Sequence, residues 1–452
     1  MSTILFYLQF VYKTKRKPDG VIERFKVRLV AQGFKQKEGV DFNEVFATTV
    51  AWQSVRIILW LVVFYKMEMA KVDIKTFFLY GDLQEVIYMK QPPGYAQGDK
   101  VCRLSKSLYG LKQSMRCALE TLSKALAKQN VLPLVTDPNV FFRRDQAGVV
   151  IVSAWVDDLL CCGTNKQLLD DFVDKLKESF QLTVEFEPSD YLQMQLQRSV
   201  DDKKFKMHQG GYVRRLLKNF KMENCNPQKL PMVQGVLPLP SEVSSVGKEV
   251  PYMELVGSLI WLLRTRLDLS VAVNVLTRYM SKYDEAVFQG ALKVLKYLKG
   301  CPEDGIVYDL SSSRCYEYGQ GVEVSFEVDS NWGGSSHDSK STTGWLVKMN
   351  DTVVGSQTKN QTRPAVSTGE AELNGLEFVG KEVEWVGDFL KELEIEAPRP
   401  FKVWQDNAAA LALTKDPVMR PRTKYFRIAQ HYVRWLQVVG KAEYLHKAGK
   451  IW

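Results

Sequence analysis

Histidine is scarce in this chain: only His208, His337, His431 and His446 occur. The seven cysteines (Cys102, Cys117, Cys161, Cys162, Cys225, Cys301 and Cys315) form no CxxC pair, and no histidine joins them at zinc-ligand spacing. A structural zinc is therefore not expected, and each cysteine reads as a small buried hydrophobe. An odd cysteine count without a secretory signal fits a reducing compartment. No run of about 18 apolar residues appears, which argues against a membrane-spanning helix. Val55–Tyr65, "VRIILWLVVFY", is too short to span and reads as a buried helix. The start, "MSTILFYLQFVYKTKRK", is apolar first and basic afterwards, the reverse of a secretory signal. It reads as a core segment of a chain cut or mispredicted upstream. No internal repeat is evident.

The 452 residues are too many for one core, so about two or three domains are expected. A hydrophobic content of 45% with 25% charged residues is that of a globular protein. The net charge of +9 has a local source. From Val11 to Val40 nine basic residues (Lys13, Lys15, Arg16, Lys17, Arg24, Lys26, Arg28, Lys35, Lys37) face three acidic ones (Asp19, Glu23, Glu38). Such a patch attracts a polyanion. On charge alone, a solvated strand and turn surface is the better explanation.

Lys13–Phe34 has the alternation of a hairpin, with Pro18-Asp19-Gly20 as its turn. "DQAGVVIVSAWVDDLLCCG" (Asp145–Gly163) reads as a strand, an acidic turn and a second strand. A helix follows over Lys166–Phe180. Residues 229–251 are rich in Pro, Ser and Gly, which marks a loop or linker. Helical stretches follow around Met253–Met280 and Asp284–Lys299, and strands after Gly305.

Asp157 and Asp158 carry apolar residues on both sides. Aspartate favours tight turns, and that is the plain explanation. A solvated turn does not need apolar neighbours, however, and Asp73 ends a second apolar strand in "KVDIKTFFLYGDL". If the two strands are adjacent, Asp73 meets Asp157. Carboxylates gathered at one point call for a divalent cation, and magnesium suits oxygen ligands. Such a site, beside a basic hairpin, points to phosphate chemistry on a polyanion.

"ERFKVRLVAQGFKQKEGVDFNEVFA", "VDIKTFFLYGDLQEVIYMKQPPGY", "VCRLSKSLYGLKQSMR" and "WVDDLL" resemble, in order and spacing, the reverse transcriptase of copia-type LTR retrotransposons. "YMELVGSLIWLLRTRLDLSVAVNVLTRYMS" and "ALKVLKYLKG" are similar to the segment that follows it. The resemblance implies a right-hand polymerase of α/β (α+β) class, with fingers and palm over 1–228 and a helical thumb or connection over 229–320. It implies Asp73, Asp157 and Asp158 as metal-binding palm aspartates. It assigns Lys26 and Arg28 to the incoming triphosphate and Phe78 to screening the 2′ side of the sugar. Tyr109, Gly110 and Lys112 fall under the nucleotide and template. The implied partners are an RNA template, a DNA primer, dNTPs and an RNA–DNA hybrid, with no membrane. The implied cofactor is Mg²⁺, two per site, or Mn²⁺. The implied setting is a cytoplasmic virus-like particle or the nucleus.

The C-terminal part holds a second acidic set. Val322, Val324, Phe326 and Val328 alternate, so a strand delivers Asp329. Gly344–Thr358 reads as a hairpin around Asn350-Asp351. A helix starts at "STGE", with Ser367 and Glu370 as a capping box. Its apolar stripe is Leu376, Val379, Val383, Val386, Leu390 and Leu393, and Glu372 lies one turn before it on the same face. Asp406 ends the strand in "FKVWQDN", where a plain N-cap is the simple explanation. "DSNWGGSSHDSKSTTGW", "STGEAELNGL", "VWQDNAAAL" and "RTKYFRIAQHYVRWL" resemble the ribonuclease H of the same elements. This implies a ribonuclease H-like domain over 321–452, with Asp329, Glu372 and Asp406 as metal ligands for cutting RNA in a hybrid.

The chain departs from the family in places. Phe77 stands where a small residue is usual, and would crowd the nucleotide pocket. Met115 replaces a proline, and the acidic residue usual near the late histidine is replaced around Arg427. The chain reaches "KAGKIW" without the family's fourth nuclease carboxylate, and it carries no protease or integrase motif. It reads as a fragment of a polyprotein or a decayed copy. A catalytically decayed nucleic-acid-binding remnant of the same fold is thus the alternative to an active enzyme.

Overall fold

The computed structural model describes residues 5–16, 22–199, 204–232, 237, 243, 250–310, 316–335, 338–415 and 427–447. The chain divides into two compact units: Met1–Ala51 with Glu68–Glu187, and Trp52–Met67 with Pro188–Trp452. Among the described residues, no helix is long and apolar enough to cross a membrane.

Alternation builds the ribbon of the first unit. After β1 (Leu5–Phe6), β2 (Leu8–Arg16) pairs antiparallel with β3 (Ile22–Ala31). Tyr12 and Phe25 lie exposed on this ribbon. The expected turn at Pro18-Asp19-Gly20 lies outside the described residues. β4 (Glu68–Ile74) opens a larger sheet. Its order is β11 (Leu182–Phe186), β4, β10 (Asp158–Gly163), β9 (Gly148–Trp155), β8 (Val140–Asp145) and β7 (Leu132–Pro133). β5 (Tyr88–Lys90) and β6 (Val101–Arg103) form a small sheet with β1. The inward set of β4 (Ala70, Val72, Ile74) packs with Val150, Val152, Leu159 and Cys161 under two helices. These are α2 (Ser114–Ala127) and α3 (Lys166–Lys177). α3 starts where Asn165 Oδ1 accepts the Leu168 N–H at 2.9 Å, a side-chain cap of the usual kind.

Phe77 belongs to this core and is fully buried. The expectation that it crowds a nucleotide pocket is corrected. The left-handed Thr76 (φ 54°) turns the chain into a short helix, Phe77–Tyr80. The turn sends the Phe77 ring into the packed interior.

The second unit takes in α1 (Trp52–Phe64) from the early part of the sequence. Every residue from Ser54 to Phe64 is buried, which explains a helix apolar on all sides. Tyr308 OH donates to the Arg56 carbonyl at 2.8 Å, and Phe64 stacks on Tyr316 at 5.5 Å. Trp60, fully buried, stacks on Phe64 at 4.5 Å. Trp60→Ala is expected to cost about 3–5 kcal/mol. In chemical denaturation the loss should fall on the transition of the second unit. A shift confined to the first unit would contradict the assignment of α1.

A four-stranded sheet follows: β12 (Asp190–Tyr191), β13 (Met194–Arg198), β14 (Lys204–His208) and β15 (Gly305–Asp309). Four helices share one apolar core: α4 (Gly210–Asn219), α5 (Tyr252–Leu262), α6 (Ser270–Thr277) and α7 (Glu285–Gly300). Most of the expected loop at 229–251 lies outside the described residues.

The last part of this unit alternates strands and helices in the order expected. β16 (Val324–Asn331), β17 (Thr342–Met349) and β18 (Thr352–Asn360) precede α8 (Thr368–Glu392). β19 (Phe401–Gln405), α9 (Ala408–Lys415), α10 (Arg427–Val438) and β20 (Ala442–His446) complete it. The sheet order is β18-β17-β16-β19-β20, and β19 runs parallel to both neighbours. The hairpin turn has both Asn350 (φ 44°) and Asp351 (φ 62°) left-handed, as its tight twist requires. The apolar stripe of α8 is buried from Leu376 to Leu393.

Candidate active sites

The first acidic group grows out of strand pairing. β4 and β10 run antiparallel, with Asp73 opposite Asp158. Like charges in directly opposed positions destabilise a sheet. Asp157 sits in the two-residue turn between β9 and β10, after Val156 at φ 59°. Tight hairpins usually give such a left-handed position to glycine, and a β-branched residue there is rare. The Asp157 carbonyl accepts the Ile74 N–H at 2.9 Å, which ties the turn to the end of β4. Burial, then the nearby Asp73 charge, pushes the Asp157 carboxyl up, while Lys26 and Arg28 pull it down.

Those two basic residues stand half-buried on β3, side chains two positions apart and so on one face. Arg28 lies over the Tyr109 ring at 5.5 Å, and Phe78 meets the same ring edge-on at 4.9 Å. Burial raises the Tyr109 phenol, against a hydrogen bond from Arg28. The Tyr109 carbonyl accepts the Ala31 N–H at 2.8 Å. Gly110 follows at φ 93°, and a Cβ there would overlap the Ala31 carbonyl oxygen. Glycine is thus required for this approach to β3. Lys112 is turned elsewhere: its ammonium donates to the Gln36 carbonyl at 3.4 Å and lies 4.6 Å from the Phe42 ring centre.

The second acidic group is tighter. One ligand oxygen from each of Asp329, Glu372 and Asp406 lies within 4.8 Å of the others. Among the described residues this is the one such trio, so Asp73, Asp157 and Asp158 are not gathered as closely. Asp329 comes from β16, Glu372 from the second turn of α8 and Asp406 from just past β19. Burial, then the charges of Asp329 and Asp406, pushes the Glu372 carboxyl up to about 8. Hydrogen bonds from Gln405 and the Ser330 backbone oppose that rise. A cluster of carboxylates that raises its own buried member lacks positive charge, and an all-oxygen donor set suits a hard divalent cation.

Two local readings change. Ser367 Oγ accepts the Glu370 N–H at 3.2 Å as a cap should, but Glu370 reaches back to the Val366 N–H at 2.8 Å rather than to that of Ser367. Asp406 is not the cap of α9, because Asn407 Oδ1 accepts the Ala410 N–H at 3.0 Å. The Asp406 carboxylate is thereby left to the cluster.

Several supporting residues escape a sequence reading. Ser330 Oγ and Thr343 Oγ1 are 2.9 Å apart, and Gln361 Nε2 donates to Thr343 Oγ1 at 3.0 Å and to the Ala371 carbonyl at 2.8 Å. All three side chains are buried and lock α8 onto β16 and β17. Gln405 is the other. It lies inward with Phe401 and Val403 on β19, and this period of two was the available signal.

Over residues 6–234 the sequence matches the family described as reverse transcriptase (RNA-dependent DNA polymerase). It is 33% identical over 438 residues to the retrovirus-related Pol polyprotein from transposon TNT 1-94 of Nicotiana tabacum, covering 94% of this chain and 32% of that one. It is 30% identical over 429 residues to the polyprotein from transposon RE1 of Arabidopsis thaliana, covering 94% and 29%. The chain spans about a third of the length of these curated relatives. A solved structure of the foamy viral protease-reverse transcriptase, in complex with double-stranded DNA, shares the fold. Its TM-score is 0.54 over 98% of this chain and 67% of that one, at 9% identity.

Proposed function

The chain belongs to the reverse transcriptase (RNA-dependent DNA polymerase) family of copia-type retrotransposon Pol polyproteins, and we propose that it copies RNA into DNA and cuts the RNA of the resulting hybrid. One observation carries this reading: in each of the two units, carboxylates remote in sequence meet at strand ends. No packing need explains either gathering, and the tighter one, Asp329, Glu372 and Asp406, has the spacing for a divalent cation as it stands.

In the first unit Asp73, Asp157 and Asp158 hold the cation, and Lys26 and Arg28 neutralise the triphosphate of the dNTP. Tyr109, backed by Phe78, forms the floor of the nucleotide site, and Phe78 screens the 2′ side of the sugar. Phe77 takes no part, because it is spent in the core. In the second unit Asp329, Glu372 and Asp406 hold the cation at the RNA strand. When bound, Mg²⁺ or Mn²⁺ supplies positive charge to the attacking and departing oxygens. The exposed ribbon, with Tyr12, Phe25 and Lys13, offers charge and stacking surface to the RNA template and DNA primer. Recognition of the hybrid rests on backbone shape and 2′-hydroxyls.

The test uses the purified chain with Mg²⁺. A DNA primer on an RNA template should lengthen when dNTPs are added, and a labelled hybrid should be cut. EDTA should stop both, and added Mg²⁺ or Mn²⁺ should restore both. Tight binding of the hybrid with neither reaction would establish the decayed remnant instead.

A further inference from the structure

We propose that Gln405 is a positioning residue that fixes the spacing of the nuclease carboxylates, its side-chain amide clasping Glu372 to the turn that carries Asp406. The proposal rests on the reading of Asp329, Glu372 and Asp406 as a cation site.

Gln405 is fully buried, and a buried amide is costly unless both of its ends are satisfied. Here both are used. Nε2 donates to Glu372 Oε2 at 2.9 Å. Oε1 accepts the N–H of Asp406 at 2.7 Å and that of Asn407 at 3.3 Å. The orientation of the amide is fixed by its surroundings, because the opposite flip would set a carbonyl against a carboxylate and an NH₂ against two N–H donors. One neutral side chain thus joins α8 to the end of β19, the two elements that supply Glu372 and Asp406. A carboxylate at this position would add a fourth negative charge. A lysine could not accept from the two backbone N–H groups. Glutamine meets both demands at once. His446, the residue paired with Gln405 on β20, braces the same turn from outside: its Nε2 lies 2.9 Å from the Asp406 carbonyl oxygen. Groups that hold metal ligands in place without touching the ion typically change affinity by about 10–100-fold when removed.

The experiment measures Mn²⁺ binding to the full chain by electron paramagnetic resonance of the free ion. Asp73→Asn and Asp157→Asn are present throughout, so that the signal reports on the nuclease cluster. Gln405→Met keeps the volume and removes both hydrogen-bonding ends. It should weaken Mn²⁺ binding about tenfold. Gln405→Asn, an amide too short to join Glu372 to the turn, should do the same, and it decides the matter if the methionine variant shows no cooperative unfolding transition. Glu372→Ala should also weaken binding, and adding Gln405→Met to it should cost little more, because the amide acts through the carboxylate. Parent-like binding by the Gln405 variants, or losses that simply multiply with Glu372→Ala, would overturn the proposal. Unchanged binding in Glu372→Ala alone would instead remove the cation site on which it rests.

Discussion

Asp157→Asn should abolish primer extension by the full chain, while cleavage of a hybrid in the same preparation should continue at the parent rate. The substitution keeps the shape of the side chain and removes a charge at the turn between β9 and β10. A drop on the order of 10³-fold is the scale expected when one preorganised electrostatic group is lost. The fold should tolerate the change. Burial and Asp73 already push the Asp157 carboxyl up, so a neutral side chain relieves strain rather than adding it. Extension assays and thermal unfolding on one sample separate the two effects. Extension at the parent rate would take Asp157 out of the polymerase site.

Glu372→Gln should produce a paired result in the second unit. Hybrid cleavage should fall by a comparable factor, on the order of 10³-fold. In EDTA above about pH 8, however, the variant should melt higher than the parent, because Asp329 and Asp406 then face an amide where the parent has a third buried negative charge. A gain of about 1 kcal/mol moves a domain of this size by roughly 2–4 °C. Added Mn²⁺ should raise the melting temperature of the parent, since a ligand bound only by the folded state stabilises it. The variant should show little such rise. Equal cleavage by parent and variant, or equal stabilisation by Mn²⁺, would remove Glu372 from the cluster.

Much of this was legible beforehand where side chains repeat with a period. The stripe from Leu376 to Leu393 gave the long helix and, one turn back, Glu372. Alternation gave the strands that carry Asp73, Asp158 and Asp329, and Asn350-Asp351 marked its hairpin. Periodicity says which way a residue points, and not which partner it meets. Phe77 was therefore misjudged, since nothing local showed that Thr76 turns its ring into the core. The cap at Asn407 was hidden for a related reason: Asp406 and Asn407 are both good caps, and a shift of one position decides between them. Gln405 was passed over because its partners lie on another helix and in its own turn. The assignment of α1 to the second unit depends on contacts with Tyr308 and Tyr316, some 250 residues away, which no local pattern carries.

That assignment bears on synthesis. α1 leaves the ribosome long before Tyr308, and at about 5–20 residues per second the wait is roughly 10–50 s. During it, a largely apolar helix lacks the residues of the second unit that bury it in the folded chain. Cell-free translation without chaperones is therefore expected to deposit insoluble product, and a holding chaperone added during synthesis should raise the soluble yield.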